Sequence, residues 1–199
     1  MDYESALVMQ RTFHSEVAAG VRSNSVIFLE HPSVYTAGKR TQDYEKPNDG
    51  TPVIAVDRGG RITWHGPGQL VGYPIVKLAK PTELVGFVRT LEGALIEFCA
   101  DFGIATVRVE GRSGVWIVDD KGARKIAAIG IRVASGVSMH GFALNVCPDL
   151  SAFAQIIPCG IDDAAVTSMA QELGREISIA EISPAVEKHI SNALSKVSL

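Results

Sequence analysis

The 199-residue chain is short of three things: cysteine, long apolar runs and an excess of charge of either sign. Its three cysteines, Cys99, Cys147 and Cys159, are odd in number and widely spaced. They form no CxxC pair and no zinc-type pattern, so no metal site is expected from them. In a reducing compartment a disulfide framework is not expected either. No stretch approaches the apolar length that a membrane helix needs. The N-terminal MDYESALVMQRTFHSEV has early acidic residues and no apolar block, so it does not read as a signal peptide. A cytoplasmic protein away from the membrane is expected. Lys+Arg total 19 against Asp+Glu 22, a net charge of −3, which argues against nucleic-acid binding through a broad basic surface.

What remains is the balance of an ordinary globular protein, 46% hydrophobic and 21% charged, at a length that fits one domain over residues 1–199. Ala6, Met9, Phe13 and Val17 recur at helical spacing before Gly20. SVIFLEH (25–31), VIAVD (53–57) and LVGYPIV (70–76) read as strands, and the polar stretch 42–52 as a turn region. The clearest helix spans about 82–102, with Thr82 as N-cap and a face of Leu84, Val88, Leu91, Leu95, Phe98 and Phe102. Cys99 beside that face reads as a core thiol. The runs ATVRV, GVWIVD, KIAAIGIRV and SMHGFALNV are joined by short glycine-bearing turns, which predicts an antiparallel meander. Cys147, at the end of the last run, reads as structural. Ser183-Pro184 reads as the start of a C-terminal helix with the face Ile182, Val186, Ile190, Ala193 and Val197. Together these predict an α+β single domain, a mixed and mostly antiparallel sheet flanked by helices.

Two stretches are out of keeping with plain packing. In FAQIIPCGIDD (153–163), Cys159 sits between a proline that fixes φ and a glycine that frees it. Two readings stay open there, a thiol presented on a bend and a cysteine buried at a turn. RGGRITWHGPGQLVGYP (58–74) holds Gly59-Gly60 and Gly66-Pro67-Gly68 on either side of a short strand. These are two hairpin turns or a ligand-binding loop, and Trp64 and His65 between the bends favour the loop. The glycine spacing fits neither a P-loop nor a dinucleotide fingerprint. By itself Lys125 reads as a strand-end lysine whose stem covers core, and His140 as a satisfied strand histidine.

In order along the chain, RGGRITWHGPGQLVGYP, Gly111-Arg112-Ser113-Gly114-Val115-Trp116, KIAAIGIRV, HGFALNV and IIPCGI…VTSM resemble the motifs of the lipoyl(octanoyl) transferases, the octanoyl-[acyl-carrier-protein]:protein N-octanoyltransferases. The resemblance runs from about His31 to Met169. It implies the α+β catalytic domain shared with lipoate and biotin protein ligases. It also implies transfer of an octanoyl group from octanoyl-acyl carrier protein to a specific lysine, the first step of endogenous protein lipoylation. That lysine lies on lipoyl domains of oxo-acid dehydrogenase complexes or on the glycine-cleavage carrier protein. No cofactor is implied.

By the same resemblance Cys159 is the nucleophile and Lys125 the residue that activates it. Arg58, Gly59, Gly60, Arg61, Ile62, Thr63, Trp64 and His65 form one wall of the acyl site. Ala128, Ile129 and Gly130 form a second, and Gly141, Phe142 and Ala143 a third. The chemistry is coherent. A thiolate exchanges readily with a thioester, and an amine can then attack the acyl-cysteine. An ammonium near Cys159 stabilises its thiolate, and once deprotonated the same lysine can take a proton from the incoming amine. Gly160 or a neighbouring N–H is a candidate oxyanion donor, with His65 or His140 as the other. Ile129, Ile131, Phe142 and Leu144 alternate along neighbouring strands and are candidate walls for an acyl slot, with plain core favoured for Ile131 and Leu144. Lys39, Arg40, Arg108, Arg112, Lys121 and Arg124 are candidates for a patch that docks an acidic carrier. Three other readings compete. An ATP-dependent ligase needs no cysteine nucleophile, a non-catalytic lipoyl-domain binder needs no Cys/Lys pair, and a cysteine hydrolase needs an oriented histidine.

Overall fold

The computed structural model describes residues 1–48, 50–156 and 165–199, so Pro158, Cys159 and Gly160 lie outside the described residues. Helix α1 (Tyr3–Ala18) opens on Asp2, whose carboxylate accepts the N–H groups of Glu4 and Ser5. The main sheet contains β1 (Ser25–Leu29), β5 (Gln69–Ile75), β6 (Val107–Val109), β7 (Arg112–Asp119), β8 (Gly122–Ala134) and β9 (Val137–Asn145). Their spatial order is β1-β5-β9-β8-β7-β6, with every neighbouring pair antiparallel. The two-residue β10 (Ala165–Val166) adds to β8 in parallel, Ala165 opposite Arg124 and Val166 opposite Lys125. A second sheet sets β2 (Val34–Ala37) between β3 (Val53–Ala55) and β4 (Ile62–His65). The meander expected from 105–146 is therefore present as β6 to β9.

Strand alternation divides the two faces of the main sheet. Ala127, Ile129 and Ile131 on β8, with Phe142 and Leu144 on β9, join a core completed by α2 (Leu84–Asp101) and α4 (Ile179–Leu194). On the opposite face Val71, Tyr73 and Ala143 pack with Ala6 of α1. Gly72 lies opposite Phe142, and a Cβ there would come within 2.4 Å of the Phe142 ring, so only glycine lets that ring lie across the strand. A short α3 (Met169–Leu173) follows β10 and buries Met169.

Two helix starts differ from the sequence expectation. Helix α2 begins at Leu84 after Glu83, with no side-chain cap, so Thr82 does not cap it. Its buried face is Phe87, Leu91, Ala94, Leu95, Phe98 and Cys99, while Leu84 is exposed. The stripe is rotated because Phe87 and Ala94 take the inward positions that the 3–4 count from Leu84 gave elsewhere. Helix α4 begins one turn before the expected Ser183-Pro184 start. Ser178 accepts the N–H of Glu181, and Pro184 lies inside the helix. Ser178-Ile179-Ala180-Glu181 is a capping-box sequence, a stronger signal than a Ser-Pro pair. Cys147 is exposed just past β9, whereas Cys99 is fully buried, which pushes its thiol up to about 12. No helix among the described residues is long and apolar enough to cross a membrane.

Candidate active site

A cavity of about 350 Å³ opens on the sheet face that carries α1, between that face and the second sheet. A β-bulge sets its chemistry. Val115 pairs with Ala127 but Trp116 pairs with Lys125, so Ile126 is an extra residue on β8. Ile126 and Ala127 both enter the helix-side core. Lys125 is thereby turned to the other face, where it lines the cavity. In an unbulged ladder, with Ile126 paired, Lys125 would share the face of Ala127 and Ile129. Its Nζ lies 4.6 Å from the centre of the Trp116 ring, whose face attracts a cation. Lys125 is buried, and its carbonyl accepts the N–H of Thr167 at 3.0 Å.

Strand β4 is read the same way. Thr63 and His65 line the cavity, as do Arg61 before the strand and Gly60 in the preceding bend. Ile62 and Trp64 alternate away from it and pack with Tyr35, Phe153 and Ile156. They hold the wall from behind, as does Gly59, whose N–H bonds Ile131 O at 3.0 Å. Arg58 lines the cavity but turns its guanidinium onto the chain, donating to the carbonyls of Gly59, Arg61 and Thr36 at 2.8–3.0 Å. Ala128, Gly130, Gly141 and Ala143 line the floor; Ile129 and Phe142 border it, with their side chains in the helix-side core together with Ile131 and Leu144.

Neither histidine offers a free N–H to an oxyanion. His65 is buried, which holds its imidazole down at about 3, and its Nδ1 meets Gln69 Oε1 at 2.7 Å. His140 has φ +59° and gives its backbone N–H to Gln10. Its Nε2 meets the Asp57 carboxylate at 2.7 Å. Burial lowers His140, while His140 and Arg132 help to hold Asp57 ionised, so Nε2 carries the proton and Nδ1 is a buried acceptor. Gly160, the other oxyanion candidate, lies outside the described residues.

Residues that the sequence reading missed complete the site. Tyr3 of α1 and Tyr73 of β5 line the cavity, and Tyr73 bonds His31 Nε2 at 2.8 Å. Glu45, fully buried, pairs with Arg61 at 2.6 Å. Glu92, fully buried on α2, accepts the N–H of Gly114 at 2.9 Å and so braces the Gly111–Ser113 turn on the cavity wall. Of the docking candidates, Arg40 and Arg112 line the cavity. Arg108 is paired with Glu92, and Arg124 with Asp119 and Glu172. A charged residue inside an apolar helical stripe was the one sequence signal for Glu92.

Comparison with known proteins bears on this geometry. The family model for the lipoyl protein ligase A/B catalytic domain matches residues 2–191. The octanoyltransferase of Salinispora tropica is 58% identical over 192 residues, covering 96% of this chain and 90% of that protein. That of Acidothermus cellulolyticus is 58% identical over 193 residues, covering 96% and 87%. A bipartite lipoate protein ligase from Thermoplasma acidophilum shares the fold at a TM-score of 0.68 and 15% identity, covering 94% of this chain and 79% of that one.

Proposed function

The chain belongs to the family of the lipoyl protein ligase A/B catalytic domain, and from that membership we propose that it transfers an octanoyl group from octanoyl-acyl carrier protein to a lysine of lipoyl domains through a thioester on Cys159. Relatives 58% identical over nearly the whole chain carry the name octanoyltransferase, which favours this over ATP-dependent ligation. The observation that carries the mechanism is the bulge that turns Lys125 into a cavity whose described lining has five cationic side chains and no carboxylate. The described residues that bracket the Cys159 segment lie beside that cavity. Ile156 packs with Trp64 behind the β4 wall, and Val166 pairs with Lys125.

In the first half-reaction the Cys159 thiolate, stabilised by the Lys125 ammonium, attacks the donor thioester. The carbon–sulfur bond to the carrier breaks, and the carrier thiolate leaves with the proton of the Lys125 ammonium, so that Lys125 becomes neutral. In the second, the neutral lysine amine attacks the acyl-cysteine. A carbon–nitrogen bond forms, the bond to Cys159 Sγ breaks, and Lys125 in its neutral form takes the amine proton. The donor is already activated, so no nucleotide is needed. Arg40 and Arg112 at the cavity suit an acidic carrier.

Octanoyl-carrier protein alone, without ATP, should add one octanoyl group to the intact mass. Hydroxylamine should remove it, and a lipoyl domain should discharge it. Cys159→Ala should remain folded and form no adduct. A requirement for ATP and free octanoate, with no acyl-enzyme, would hand the reaction to the ligase reading.

A further inference from the structure

We infer that His65 accepts, through Nε2, a hydrogen bond from the incoming lysine amine and so orients it for attack; this rests on the acyl-enzyme reading above. The argument is one of hydrogen-bond direction. Thr167 O is a backbone carbonyl and can only accept, so Asn145 must present Nδ2 to it, at 2.9 Å. Asn145 Oδ1 then faces Gln69 Nε2 at 2.9 Å. The same Nε2 reaches a second carbonyl, Trp64 O, at 3.4 Å. Gln69 Oε1 is left to accept, and its partner at 2.7 Å is His65 Nδ1. Two backbone carbonyls thus fix both amides, and the amides fix the tautomer: Nδ1 carries the hydrogen and Nε2 a lone pair.

That nitrogen has no partner among the described residues, on a ring that lines the cavity and stacks on Tyr3 at 6.1 Å between centroids. Burial keeps the ring neutral, so it neither donates to an oxyanion nor takes the proton outright. Arg40, Arg58, Arg61 and Arg112 around it are all donors, and the lone pair of neutral Lys125 is committed to the amine proton that it takes. The other imidazole that lines the cavity, His140, buries its free nitrogen completely. An amine that must keep its lone pair for the acyl carbon needs an acceptor for an N–H, and His65 Nε2 supplies one.

The test separates the half-reactions. In the wild type, ring ¹⁵N shifts of His65 should show Nε2 unprotonated and Nδ1 protonated through neutral pH. His65→Phe, which retains the ring against Tyr3, should slow the loading of octanoyl from the carrier far less than its discharge. It should discharge to a lipoyl domain on the order of tenfold or more slowly, as for one lost transition-state hydrogen bond. A protonated Nε2 in the wild type overturns the inference without any variant. Discharge at the wild-type rate, or loading slowed as much as discharge, also overturns it. Failure of the wild type to form any acyl-enzyme would instead remove the reading beneath it.

Discussion

In the proposed mechanism Lys125 has two functions that one substitution can separate. Lys125 carries its charge over Trp116 and must also give up a proton if it is to serve the incoming amine. Arginine keeps the charge and does not deprotonate. If the base role governs the second half-reaction, Lys125→Arg should load octanoyl faster than Lys125→Ala yet discharge it nearly as poorly. Single-turnover mass spectrometry of both steps reads this directly. Rates close to wild type in both variants would take Lys125 out of the mechanism.

At the scale of elements, the bulge on β8 makes a sharper claim. Inserting one residue between Val115 and Trp116 would give Ile126 a partner and restore strict alternation, which turns Lys125 to the face of Ala127 and Ile129, whose side chains face the helices. The insertion should abolish transfer and destabilise the fold, since it either buries a lysine in apolar core or breaks the ladder. Ile126→Val deletes one methylene and should cost about 1 kcal/mol with transfer retained. Urea unfolding beside a transfer assay distinguishes the two; an insertion variant that is still active would show that the bulge does not present Lys125. The meander was legible in sequence because short glycine turns separate its strands. The bulge was not, because KIAAIGIRV reads as one continuous apolar run and nothing in it marks the extra residue. For the same reason Ile62 and Trp64 entered the expected wall with their neighbours, although alternation turns them away. Thr82 and Ser183 were plausible caps locally, but packing of Phe87 and capping at Ser178 decided the helix starts. Gln69 and Asn145 went unread because each is one polar residue in a strand, and only the fold brings them together.

For the molecule as a whole, buried neutral histidines make stability depend on pH. Burial lowers His31, His65 and His140 below 6.5, His65 to about 3. Above pH 6.5 they are neutral in both folded and unfolded chains and cost nothing. Below it the unfolded chain takes up protons that the folded chain refuses, so stability falls on acidification, by about 1.4 kcal/mol per pH unit for each such proton. Asp119, held at about 2 by Arg124, and Glu172 add to the loss only at lower pH, as their carboxylates protonate. The urea midpoint should drop between pH 7 and pH 5, and more shallowly in His65→Phe, which has one titrating group fewer; equal slopes would deny that His65 is neutral when folded. The chain of amides from His65 to Thr167 has a consequence on a longer timescale. Each member dictates which atom its neighbour must present, so a change at Gln69 or Asn145 alone strands a buried partner. Across the descent of these enzymes the two positions should be replaced together or not at all, and an alignment that shows them drifting independently would mean that selection does not read the direction of the chain.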